Sequence, residues 1–97
     1  DAIISKTLTG VVTSWNHSAE RLFGYRADEA IGRPLAELIV PEGRKGEEAD
    51  ILRRIANGER IEHFETVRQR KDGVLLNVSV SVSPVQNEAG QIVGASK

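Results

Sequence analysis

Leu75-Leu76-Asn77-Val78-Ser79-Val80-Ser81-Val82-Ser83-Pro84-Val85 is the most informative run of the chain. Leu76, Val78, Val80 and Val82 are apolar, and Asn77, Ser79, Ser81 and Ser83 between them are polar. Strict alternation of this length predicts a half-buried β-strand, because a period of two puts the apolar set on one face. Valine also suits a pleated surface better than a helix. Pro84 has no N–H to donate, so the strand is expected to end there or to lie on an edge.

Lys71-Asp72-Gly73 precedes this strand. Asp-Gly between two extended runs predicts a hairpin, since glycine accepts positive φ. Residues 61–70 then form the partner strand. Phe64, Thr66 and Arg68 share one of its faces, and Ile61, His63, Glu65 and Val67 share the other. A second turn at Asn87-Glu88-Ala89-Gly90 leads to a short strand over 91–95. At the front, 2–5 and 10–15 are two more strands, joined by turn residues Thr9-Gly10.

The period changes in the middle of the chain. Asn16 is a good helix N-cap, Ala19, Leu22 and Phe23 recur at helical spacing, and Gly24 stops the helix. Residues 28–31 make a single turn closed by Gly32. Pro34 opens another short helix carrying Leu35, Leu38 and Ile39 on one side, and Pro41 ends it. The longest helix runs over 44–57, with Ala49, Leu52 and Ala56 in one series and Ile51 and Ile55 in another. Glu47, Glu48, Arg53 and Arg54 are expected on its solvated face. Two strands, several short helices and a three-strand meander make an α+β plan.

The 97 residues suit one domain, 1–97, and 39% hydrophobic content suits one core. Net charge −1 removes the electrostatic case for a nucleic-acid surface or a polybasic membrane anchor. There is no cysteine, hence no disulfide, thiol nucleophile or thiolate site; with two histidines, a structural metal site is not expected. No apolar run is long enough to span a bilayer. A chain that starts at Asp1 and contains no methionine reads as a segment of a longer protein. No nucleophile elbow, zinc-protease helix or P-loop is present, so catalytic residues are expected to be none.

Four groups of residues, in this order, resemble the PAS domain of signalling proteins over essentially the whole chain. They are Gly10-Val11-Val12-Thr13-Ser14-Trp15-Asn16, Ala19-Glu20-Arg21-Leu22-Phe23-Gly24-Tyr25, Glu29-Ala30-Ile31-Gly32-Arg33-Pro34-Leu35 with Pro41, and Arg70-Lys71-Asp72-Gly73 with Pro84 and Gly90. The resemblance implies a five-stranded antiparallel sheet of order 2-1-5-4-3 with short helices on one face and a pocket between them. It further implies a cytoplasmic, bacterial sensory module that binds a small ligand or partner. Such a module relays a conformational signal to a downstream output domain of histidine kinase or cyclase type, as a homodimer. The alternative is a ligand-free interaction and dimerisation module with a filled core. No cofactor is identifiable. Flavin photosensors of this family need a cysteine near Gly32-Arg33, which is lacking, and the haem-ligating histidine of oxygen sensors would fall at Glu48. Members often carry Ser or Thr where Arg26 stands, so a helix cap is weakened there.

The expected pocket comprises Leu38, Ile39, Leu52, Ile55, Phe64, Thr66, Arg68, Val78 and Val80. Arg68 has two readings. On an inward face it would sit at the pocket mouth and orient an anionic end of the ligand. Otherwise it snorkels to water near the hairpin end, and this is the expectation, because charged side chains are rarely buried unless paired. His17 is expected to be solvated, and His63 to pair with Glu65 on the surface. Trp15 is expected to pack in the core or, with Ile3 and Ile4, at a subunit interface. The output element is the last strand, 92–97.

Overall fold

In the computed structural model, which describes residues 1–86 and 92–96, the hairpin is the longest feature. β3 (Ile61–Gln69) and β4 (Leu75–Gln86) are its arms. Gly73 at φ +90° makes the turn, and Asp72 Oδ1 accepts from the Val74 N–H at 3.0 Å. Val80 and Val82 are buried, Leu76 and Val78 are half-buried, and the serines between them on this arm, Ser79 and Ser81, are exposed, as the alternation predicts. β1 (Ile4–Thr7), β2 (Val12–Trp15) and β5 (Ile92–Ser96) complete one antiparallel sheet of order β2-β1-β5-β4-β3. The expected turn at 87–90, together with Gln91 and Lys97, lies outside the described residues.

Of the two alternatives at Pro84, the second holds. β4 does not stop there. Its ladder with β3 ends at the Ile61–Val82 pair, and Ser83 to Gln86 pair with β5 instead. Pro84 therefore has one strand neighbour, Ala95 opposite, and is locally on an edge inside a five-stranded sheet. A departure from expectation is a bulge between Ile61 and Phe64, where His63 takes φ 51°. One extra residue rotates Ile61 onto the face of Phe64, Thr66 and Arg68, where it is buried; it does not share a face with Glu65. His63 does not pair with Glu65: it is exposed, and its backbone N–H donates to Ser81 Oγ at 3.2 Å.

The first strand lies two residues later than the apolar Ile3-Ile4 pair suggests, because Lys6 points into the protein and interrupts the apolar pattern. Asn16 clasps the chain before it. Asn16 Oδ1 accepts from the Ile3 N–H at 2.9 Å and, as N-cap of α1 (His17–Phe23), from the Ala19 N–H at 2.9 Å. Gly24, at φ 84°, closes α1. Leu22 faces out, so only Ala19 and Phe23 of the expected apolar series are buried.

Arg26 gives no side-chain cap to α2 (Ala27–Ala30). The missing acceptors come from elsewhere: Glu20 Oε2 takes the Ala27 N–H at 2.7 Å, and Glu29 Oε1 takes the Arg26 N–H at 2.9 Å. That backbone N–H, aided by Lys71, holds the Glu29 carboxyl below its usual range. Lys71 also reaches back from the hairpin turn, donating its own N–H to Phe23 O at 2.8 Å. α3 (Leu35–Ile39) follows Pro34 and buries Leu35, Leu38 and Ile39, as predicted. The segment before it covers the open edge of β2, with Val12 N–H donating to Arg33 O at 2.9 Å and Leu35 N–H to Gly10 O at 2.8 Å.

After a 3₁₀ turn over Glu42–Arg44 comes α4 (Lys45–Ala56). Its inward stripe is Glu48, Ile51 and Ile55, spaced i, i+3, i+7. Ala49 and Ala56 are exposed, so they do not pack the core, and Glu48 is not on the solvated face.

Among the described residues, the buried apolar side chains form two clusters. The larger joins Ile4, Val12, Trp15, Ala19, Phe23, Ala30 and the α3 residues. Trp15 is inside it, its indole N–H donating to Tyr25 O at 3.0 Å, and Ile4 is buried beside it; neither is a surface residue for a partner. The smaller comprises Ile51, Ile55, Ile61, Val80 and Val82, with Leu8, Phe64 and Val78 against it.

Candidate functional site

Charged side chains from three elements meet below the sheet. β3 delivers Thr66 and Arg68 inward on its period of two. β1 delivers Lys6, two residues after buried Ile4. The first turn of α4 delivers Glu47 and Glu48, and Arg44 stands just before it. Arg68 is 1% exposed, Lys6 2% and Glu48 3%. The expectation that Arg68 snorkels to water is therefore overturned. The reason is pairing: the opposing helix carries two carboxylates that the hairpin alone could not reveal.

Arg68 Nη1 donates to Glu47 Oε1 at 2.9 Å, to Thr66 Oγ1 at 3.2 Å and to Val67 O at 3.0 Å. Thr66 Oγ1 donates to the same Glu47 oxygen. Arg44 Nη1 donates to Glu47 Oε2 at 3.1 Å and to Thr66 Oγ1 at 3.1 Å. Thr66 thus uses its one donor and both acceptor sites. Lys6 Nζ is bonded to Glu48 Oε1, and Glu48 Oε2 lies 4.0 Å from Arg68 Nη2. Among the described residues, Nε and Nη2 of Arg68 have no hydrogen-bond partner.

Burial alone would raise the Glu47 pKa. The bonds from Thr66, Arg68 and Arg44 outweigh it, and the carboxyl sits below its ordinary value. Lys6 and Arg68 are balanced by Glu47 and Glu48, and Arg44, whose side chain is 42% accessible, adds a further cation at the rim.

Two grooves flank the cluster. An open one of about 450 Å³ is lined by Arg44, Thr66 and Val78 together with Glu65, Asn77 and Ser79. A smaller one of about 150 Å³ lies between Gly10, Pro34, Glu48 and Leu52. Gly10 is needed there: at φ +90°, a Cβ would also stand 3.2 Å from Leu52 Cδ1.

The nine expected pocket residues do not form one wall. Thr66 and Val78 line the larger groove and Leu52 the smaller. Leu38 and Ile39 belong to the larger apolar cluster, Ile55 and Val80 to the smaller one, and Phe64 packs against that smaller cluster. Arg68 sits in the charged network. Lys6, Arg44, Glu47 and Glu48 are the residues the sequence reading missed. A signal was present for Glu48, which shares the helical spacing of Ile51 and Ile55, and for Lys6, which alternates with Ile4. His17 is exposed, within 3.2 Å of Glu20, as expected of a first-turn residue. Among the described residues no group of acidic, histidine or cysteine side chains could hold a metal, and no helix is long and apolar enough to cross a membrane.

The chain is 36% identical to two-component system protein A of Emericella nidulans across 99% of its length, and covers 14% of that protein. It matches an uncharacterised Azorhizobium caulinodans protein at 36% identity over 61% of the chain, covering 8% of the relative. The chain thus spans a small fraction of the curated relatives it matches. Among solved structures, the PAS domain of a Colwellia psychrerythraea protein superposes with TM-score 0.85 at 29% identity, over 98% of this chain and 80% of that one. An RNA-binding Light-Oxygen-Voltage receptor superposes with TM-score 0.83 at 31% identity, over 98% of this chain and 27% of that one. The family model described as the PAS fold matches residues 1–96, and the chain belongs to the PAS family.

Proposed function

We propose that this domain is the sensory unit of a larger signalling protein. It takes up a small ligand, or registers a partner, and biases the conformation of a neighbouring output domain of histidine kinase or cyclase type. The observation that carries this reading is the buried charged cluster tying α4 to β1 and β3. Buried ion pairs are weak stabilisers, because desolvation offsets their attraction. A domain selected for stability alone would fill this space with apolar side chains. The larger groove, about 450 Å³, falls in the size range of small-molecule sites. The two-component name of the fungal relative supports a signalling context.

A route to the output strand supports the same reading. Glu48 on α4 holds Lys6, and Lys6 lies opposite Ala95 of β5. A ligand that moves α4 therefore acts on the central strand through one side chain. It does so only as far as it binds the two arrangements with different affinity. Cysteine-linked flavin chemistry has no cysteine to use, and Glu48, where a haem ligand would stand, is committed to Lys6. The second reading, a ligand-free dimerisation module in the cytoplasm, is favoured by the buried apolar cluster around Trp15.

Native mass spectrometry of the purified domain, against its denatured mass, tests the choice. A reproducible added mass supports the sensor. A bare dimer supports the second reading.

A further inference from the structure

We propose that Glu47 is a built-in stand-in for a carboxylate-bearing ligand, which binds by displacing it from Arg68, Thr66 and Arg44. This rests on the sensory reading and names its ligand class. Three donors from two elements converge on one side-chain carboxylate: Arg68 Nη1 and Thr66 Oγ1 on Oε1, and Arg44 Nη1 on Oε2. Such an arrangement of a guanidinium and a hydroxyl on one oxygen and a second guanidinium on the other is a carboxylate site in its own right. Glu47 is only half-buried, while Arg68 beneath it is buried. Arg44 and Thr66 also line the open 450 Å³ groove, so the donors can be reached from outside.

The Nε and Nη2 donors of Arg68 form the edge of the guanidinium that Glu47 does not use; neither has a hydrogen-bond partner among the described residues, and Nη2 lies 4.0 Å from Glu48 Oε2. Glu48 faces that edge, so a carboxylate that displaces Glu47 takes over the bonds from Arg68 Nη1, Thr66 and Arg44. Displacement has a structural consequence, because Glu47 is in the first turn of α4. Releasing it frees the start of the helix that Lys6 and Glu48 connect to β1.

Chemical rescue in the 97-residue domain tests this. Glu47→Ala removes the stand-in and leaves its donors. The probe is sodium acetate, with sodium chloride at equal ionic strength as control. Acetate is expected to raise the Tm of Glu47→Ala by about 5 °C more than chloride does. Its apparent Kd should be at least about tenfold lower for this variant than for the wild type, where Glu47 competes at high effective concentration. Adding Arg44→Ala to Glu47→Ala should abolish the difference. Equal effects of the two salts on Glu47→Ala would overturn the proposal. Should Glu47→Ala fold in neither salt, Glu47→Gln is titrated with ¹³C-acetate, and unchanged Thr66 and Arg68 resonances would overturn it equally. Failure of rescue leaves the sensory reading standing, because an added mass in the native spectrum would still show a ligand elsewhere.

Discussion

The two apolar clusters of this small domain differ in what borders them. The larger, around Trp15 and Phe23, is closed by aromatic packing, with ring centroids 5.8 Å apart, and by α3. The smaller, between α4 and the hairpin, shares both α4 and β3 with the charged cluster, through Ile51 beside Glu48 and Ile61 on the strand of Arg68. One side of the molecule is closed by apolar and aromatic contacts. The other holds a helix to the sheet through buried ion pairs. Packing of different character thus stands at different ends of one sheet.

The largest effect should come from driving a charge into the smaller cluster. Val80→Asp puts an unpaired carboxylate there and should cost about 4–5 kcal/mol or more, abolishing the cooperative thermal transition. A folded variant with unchanged Tm would reverse the assigned strand face. Next come the buried pairs. Glu48→Ala leaves Lys6 buried without this partner and should cost about 3–5 kcal/mol in urea unfolding. The double change Lys6→Met with Glu48→Leu should be neutral or stabilising by about 1–4 kcal/mol. If the double variant is as unstable as the single one, the cluster is holding the fold up and the contrast between the two ends fails.

The smallest effect is a pH dependence. Because the folded state lowers the Glu47 pKa, its contribution is present above the ordinary carboxylate value of 4.5. It is lost as pH falls through the lowered value, where the unfolded chain binds more protons. The Tm of Glu47→Gln should therefore fall less steeply than that of the wild type on acidification below 4.5. Parallel curves would remove Glu47 from the charged network.

Most of the framework was legible from local chemistry. The serine–valine alternation of β4, the Asp-Gly turn and the Asn16 cap each act within a few residues, so the sequence exposes them. The site was less legible because its charges come from β1, α4 and β3, far apart in the chain. Glu48 belonged to the stripe of Ile51 and Ile55, but as a charged residue it suggested water until Lys6 supplied a partner. Arg68 was misjudged for the same reason. The bulge at His63 was invisible, since no glycine marks it. Glu20 took over the cap that Arg26 lacks, a substitution across seven residues that no cap motif encodes.

The pairing of β5 has a mechanical corollary. Gly94, Ala95 and Ser96 are each opposed on both sides, by Thr7, Lys6 and Ser5 of β1 and by Val85, Pro84 and Ser83 of β4. A tension along this strand loads two ladders in shear at once, so their hydrogen bonds resist together rather than peeling singly. Force entering there is shared between the β1 and β4 ladders rather than carried by one.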